Sequence, residues 1–218
     1  MGIIGVVAAL TIPNLNASTG EAEKVAKVKK NYAVLNEALS RAVVKYGPVR
    51  TWFVNDGGDS DKMSKRFADR ISEFLKLTKP VEKKDKDSDY YTFTLADGTS
   101  VFIYYNDDTG DCFSSQVPAI YLGELDIDID GDKGKNSDGI DIFDFDITNI
   151  GLIPQGIYYS GDLEWDNRWE SVPDIGNGYY YGATLWVITH GNMDYLHVDK
   201  NLKCKNGKVL SPTVTSCK

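Results

Sequence analysis

The chain has 218 residues, 42% hydrophobic and 11% aromatic, enough for one folded body with a sizeable core and too many for a disordered segment. Its formal charge of −8 and pI near 4.8 mean that the body as a whole repels a nucleic-acid duplex or an anionic membrane surface. Three cysteines exclude a disulfide-dense scaffold, and none of them shows the C-x-x-C spacing of a zinc site.

Residues 1–15, MGIIGVVAALTIPNL, are apolar except for Thr11 and Asn14. The run is shorter than the ~20 residues that span hydrocarbon. It also lacks the cationic start and small-residue cleavage site of a signal peptide. A buried core helix is the plain reading. Pro13 then predicts a break, and Ser18-Thr19-Gly20-Glu21 reads as a capping box that starts a fresh helix. The expected organisation is an apolar helix and break over 1–20, followed by one body over 21–218. From Glu21 to Tyr46, Val25, Val28, Tyr32, Leu35, Leu39, Ala42 and Tyr46 step by three and four and lay one apolar stripe along a helix. Lys24, Lys27, Lys29, Lys30 and Arg41 read as its solvated face, and Gly47-Pro48 stops it.

After the loop Asn55–Asp59, a short helix is predicted over 61–77, with Met63, Phe67, Ile71 and Phe74 on its core face. Residues 83–89 read as a charged, solvated connection. The period then becomes two. Tyr90–Leu95 and Thr99–Tyr105 flank Ala96-Asp97-Gly98 as a hairpin, and Ala119–Ile129, Ile142–Ile147 and Tyr179–Thr189 are further strand candidates. This order predicts an α+β fold in which a long N-terminal helix and a small helical insertion accompany an antiparallel sheet.

The segment Asp126–Asp141 carries the one chemical constellation. Asp128, Asp130 and Asp132 alternate around Gly131 as the opening of a calcium loop does, because a hard cation wants several oxygens converging on a turn. The carbonyl of Gly134 and the side chain of Asn136 follow in the EF-hand pattern. Gly139 stands where that pattern needs glutamate, so Asp138 or Asp141 would close the shell instead. A metal-free acidic turn, with glycines at positive φ and aspartates capping amides, explains the same residues. In an oxidising compartment Cys204 and Cys217, which enclose a short Gly-, Pro-, Ser- and Thr-containing loop, are placed to pair, with Cys112 left over. Tyr158, Tyr159, Trp165, Trp169, Tyr179, Tyr180, Tyr181 and Trp186 suit contacts with glycans or proteins. His190 and His197 sit near the expected C-terminal strand, with His197 read as a strand residue. Asp144 and Asp146 form a carboxylate pair. No nucleophile elbow, phosphate loop or H-E-x-x-H accompanies them, and an enzyme is not expected.

GIIGVVAALTIPNL resembles the latter half of the N-terminal helix of type IV pilins and type II secretion pseudopilins. There, an apolar run passes through glycine and small residues to a proline. The resemblance covers about the first fifteen residues. The basic leader, prepilin-peptidase cleavage site, methylated mature start and nearby glutamate of that family have no counterpart here, so Met1 is expected to mark an N-terminally truncated reading frame. Asp128–Phe143 also resembles an aspartate- and glycine-rich stretch of pilin-like proteins, and Asn192-Met193-Asp194-Tyr195 resembles one near their C-termini. The resemblance implies a long helix packed on an antiparallel sheet. It also implies assembly through Ile3, Ile4, Val6, Val7, Leu10 and Pro13 with other pilin or pseudopilin subunits. The complete helix would sit in the bacterial inner membrane first, and the subunit would then enter an extracellular pilus or a periplasmic pseudopilus. The alternative is a calcium-stabilised adhesin or glycan- or protein-binding module on the filament surface.

Overall fold

The computed structural model describes residues 2–53, 58–105, 113–114, 120–131, 133–156, 159–160, 172–173, 180 and 182–218, with backbone alone for 2–19, 113–114 and 159–160. Outside this set lie Asp132, Cys112, Tyr158, Trp165, Trp169, Tyr179 and Tyr181, and the side chains of Ile3, Ile4, Val6, Val7, Leu10, Pro13 and Tyr159.

Helix α1 (Gly2–Tyr46) runs unbroken for 45 residues, through Pro13 and Gly20, where the sequence predicts a break. A proline removes one amide hydrogen bond at a cost of about 3 kcal/mol. Cooperative propagation from the turns on both sides carries the helix across it. No helix of the described residues is long and apolar enough to cross a membrane. A 3-10 turn (Val49–Phe53) leads to α2 (Ser60–Ser72), which ends a turn earlier than predicted.

The strands are β1 (Leu77–Lys83), β2 (Tyr91–Leu95), β3 (Ser100–Tyr105), β4 (Phe113–Ser114), β5 (Tyr121–Asp128), β6 (Ile142–Thr148), β7 (Gly151–Pro154) and β8 (Tyr159–Ser160). Six form one antiparallel sheet in the order β1-β2-β3-β5-β6-β7, and β4 pairs with β8. The structure is therefore α+β, as the element order predicts. Two corrections concern period and composition. Residues 183–190 form a helix, α3 (Ala183–His190), instead of a strand. Gly182 and Gly191, both left-handed, bracket it, and Ala183, Trp186 and Val187 bury on a helical spacing that a short apolar run does not distinguish from a strand. His197 ends a 3-10 turn (Asp194–His197) and is likewise not on a strand. Strand β1, which falls between the predicted helix and the predicted charged connection, is an edge strand, where lysines and a proline are at home.

The core lies between α1 and one face of the sheet. Val25, Val28, Leu35, Leu39 and Ala42 pack with Phe93, Val101, Ile103, Leu125, Ile127, Phe143, Phe145 and Ile147, and the Tyr32 ring stacks on Phe145 at 5.2 Å. Helix α2 adds Met63, Phe67, Ala68 and Ile71 beside Trp52, Phe53 and Tyr105. At the β7 edge the Leu152 amide donates to Asn36 Oδ1 (3.0 Å), and the Tyr32 hydroxyl donates to the Leu152 carbonyl (3.2 Å). The opposite edge is β1, with Lys79, Pro80, Glu82 and Lys83 exposed and its register to β2 interrupted twice.

Gly123 opposes Tyr105 in the β3–β5 ladder at φ +151°, and a Cβ there would stand 2.3 Å from the Tyr104 carbonyl oxygen and 2.8 Å from the Tyr105 Cα. Both are backbone atoms in mid-sheet. Gly123→Ala is expected to lower the unfolding free energy by about 2 kcal/mol or more in urea titration. An unchanged midpoint would contradict this strand pairing.

Candidate functional site

Asp128 ends β5 and turns the chain into the aspartate loop. Its Oδ1 accepts from the amides of Asp130 (3.1 Å) and Gly131 (2.9 Å), and at the far end Asp141 Oδ1 accepts from the Ser137 amide (2.6 Å). The Ile129 amide donates to the Asp141 carbonyl, closing the loop at its base. Burial pushes the Asp128 carboxyl up to about 6; the two amides pull the other way, and the Asp130 charge adds to the rise. Asp130 Oδ1 is buried without a hydrogen-bond partner. Asp138, raised by burial and by the Asp141 charge, stands with Asp141, whereas Gly134 and Asn136 are exposed between the two ends. The structure thus groups Asp128 with Asp130 and Asp138 with Asp141. Among the described residues no group of three or more His, Cys, Asp or Glu is placed to hold a metal ion.

The lysine face of α1 reaches this loop instead of being only solvated. Lys27 Nζ donates to the carbonyls of Ile129 and of Asp97 (3.1 Å), Lys24 Nζ to the Ile140 carbonyl (3.1 Å), and Lys30 Nζ to Asp97 Oδ2 (3.1 Å). Long apolar stems let these side chains lie along the helix and deliver the ammonium to loop carbonyls. Asn31, buried beside them, donates to Thr99 Oγ1 at 2.7 Å. The β2–β3 turn and the aspartate loop are therefore both fastened to one helix face. The spacing 24, 27, 30, 31 is the signal in the sequence that marks it.

On the face of the sheet away from α1, Asp126 opposes Asp144 and Glu124 opposes Asp146. Directly opposite residues share a face, so four carboxyl side chains stand in a two-by-two ladder. Tyr90 and Tyr121 donate to the two Glu124 oxygens (3.4 and 3.2 Å), and the Tyr90 and Tyr104 rings stack at 5.1 Å. Asp144 and Asp146, the carboxylate pair of the sequence, are two apart on one strand. The close neighbours are Asp144 and Asp126, directly opposed across β5 and β6. Desolvation first, then the charges of Asp138 and Glu124, push Asp144 up to about 7. Asp126 is pushed up by desolvation and by Asp144, against the pull of Lys84. A carboxyl group raised to this extent holds a proton near neutrality.

The third region is C-terminal. Trp186 Nε1 and the Asp194 amide donate to Asn192 Oδ1, and Asn192 Nδ2 donates to the Thr215 carbonyl. Asp194 Oδ2 accepts from Ser216 Oγ (2.9 Å) and the Cys217 amide (2.7 Å), while the buried Tyr195 hydroxyl donates to the Gly139 carbonyl at 2.7 Å. The stretch Asn192–Tyr195, given no chemistry in the sequence, joins α3, the aspartate loop and the chain end. Cys204 and Cys217 form a disulfide, with Cα atoms 5.5 Å apart. His197 Nε2 lies 2.8 Å from Glu21 Oε1, and His190 packs edge-on to Trp186 at 4.4 Å with its pKa lowered by burial and Lys29. Between α1 and this segment opens a cleft of about 380 Å³, with Val25 and Met193 on its apolar side and Glu21, His197, Lys205 and Lys218 among its polar lining.

Residues 15–159, more than half of the chain, match the Family of unknown function (DUF6613). The chain belongs to this family. No curated protein and no solved structure matches it. The family match takes in α1 from Leu15, the whole six-stranded sheet and the aspartate loop, while α3 and the disulfide lie beyond it.

Between about pH 5 and pH 7 the folded chain retains a proton on Asp144 that the unfolded chain, with ordinary aspartates near 4, has released. Stability is therefore expected to fall as pH rises through that window, by on the order of 1–2 kcal/mol. Asp144→Asn should flatten the thermal-midpoint profile and exceed the parent at the alkaline end. A parent midpoint that rises with pH there would refute the pairing.

Proposed function

We propose that this protein is a structural subunit of a type IV pilus or type II secretion pseudopilus, assembled through its N-terminal helix and performing no catalysis. The supporting observation is the continuity of α1. One unbroken helix carries both the apolar run GIIGVVAALTIPNL and, from Val25 to Ala42, the stripe that packs on the sheet. At 1.5 Å per residue, Gly2–Thr19 lengthens the helix by about 27 Å. Ile3, Ile4, Val6, Val7, Leu10 and Pro13 would lie in the bacterial inner membrane before assembly and against neighbouring subunits afterwards. Apolar burial would drive that exchange. The Cys204–Cys217 disulfide suits an oxidising, extracytoplasmic setting. Antibody against the body, applied to sheared surface filaments and to the membrane fraction of the producing cells, tests the reading. Signal in filaments that is lost with Ile4→Asp/Val7→Asp, while the variant's body still melts as the parent does, is the expected outcome. A chain found only free in solution, with the substitutions without effect, would sink it.

A second reading is a calcium-stabilised binding module on the filament surface, favoured by the buried, unpartnered Asp130 Oδ1 beside the desolvated Asp128. A cation there would neutralise both. Calcium at about a hundred times its dissociation constant would add about 2.7 kcal/mol to the unfolding free energy. The increment is expected to vanish in chelator and in Asp130→Ala. Equal melting with calcium and with chelator would reduce the loop to an acidic turn.

A further inference from the structure

The chain carries a net charge of −8, yet residues 199–218 contain five lysines and a single aspartate. Lys200, Lys203, Lys205, Lys208 and Lys218 are all exposed. The disulfide and the Asp194 carboxylate fold this segment back against α1, so that Lys205 and Lys218 line the same cleft as Glu21, Ala22 and Val25. Lys208 Nζ donates to the Lys218 carbonyl, which brings a third ammonium to that rim. Of the acidic side chains lining the cleft, Glu21 is engaged by His197 and Asp194 by Ser216 and the Cys217 amide. The apolar run of residues 2–10 lies toward the N-terminus on the same helix and ends eleven residues before Glu21, about 16 Å along the axis. The helix thus leaves an acidic body through a basic collar.

We propose that this collar binds the headgroups of anionic phospholipids, with Lys205, Lys208 and Lys218 meeting the phosphates. The proposal rests on reading α1 as a membrane-embedded helix and names the lipid that its exit point selects. Clustered lysines next to an apolar helix are attracted to an anionic leaflet over about a Debye length, and at that range the local cluster outweighs the distant carboxylates of the sheet. A neutral membrane offers these ammonium groups no counter-charge.

The test is co-sedimentation of the full chain with phosphatidylcholine vesicles and with vesicles that also contain phosphatidylglycerol, at low and high salt. The collar variant Lys205→Glu/Lys208→Glu/Lys218→Glu is compared with a charge-matched control, Lys76→Glu/Lys86→Glu/Lys135→Glu, made at exposed lysines elsewhere. Stronger binding to the anionic vesicles is expected, abolished by salt, weakened at least ~10-fold in the collar variant and within about twofold of the parent in the control. Equal losses in both variants would show a net-charge effect and overturn the proposal. Full competition by soluble glycerol phosphate would also overturn it, since the site would then take a free anion. Equal binding of the parent to both vesicle types would overturn the collar while leaving the helix reading intact, and no binding to either would overturn both.

Discussion

The apolar stripe of α1 from Val25 to Ala42 gives the inner face of the sheet something to be buried against. A six-stranded antiparallel sheet with one apolar face is not stable alone in water; it needs a second layer, and here a single helix supplies most of it. Tyr32 against Phe145, and Asn36 and Tyr32 on the Leu152 backbone, fix where the helix crosses. Once that crossing is set, Lys24, Lys27, Lys30 and Asn31 fall over the β2–β3 turn and the aspartate loop. The polar contacts of the loop follow from the apolar contacts of the helix.

Much of this was legible in the residues. The stripe from Val25 to Tyr46, the hairpin around Asp97 and the strands at 121–128 and 142–148 are strongly periodic, and periodicity survives into structure because it records which face is buried. What was not legible lay where local pattern and tertiary context disagree. Residues 183–190 have no hydrophobic alternation that separates strand from helix, and two flanking glycines decide the matter. Strand β1 carries Pro80 and three charged residues, signals of a loop unless the strand is an edge. Pro13 should interrupt a helix, yet α1 continues through it. The Asp126–Asp144 pair depends on register, which the spacing within either strand does not contain.

The charges are arranged by sign as well as by position. Carboxyl groups gather on the outer sheet face and in the loop after β5, where burial and mutual repulsion raise several of their pKa values. Lysines gather along the first described turns of α1 and in the C-terminal segment. The two sets meet in the Lys24, Lys27 and Lys30 contacts, where most acceptors are carbonyl oxygens. Residues 192–195 connect the poles mechanically, through Tyr195 to Gly139 on one side and through Asp194 to Cys217 on the other.

The treatment of the sheet's two edges has a consequence for how copies of the chain can associate. At one edge Asn36 and Tyr32 already occupy the outward amide and carbonyl of Leu152. At the other, Pro80 lacks a donor and exposed charges flank an irregular strand. Neither edge offers a continuous row of free backbone groups to a strand from a second molecule. Growth by strand addition, the route to amyloid, is therefore disfavoured at both ends of this sheet.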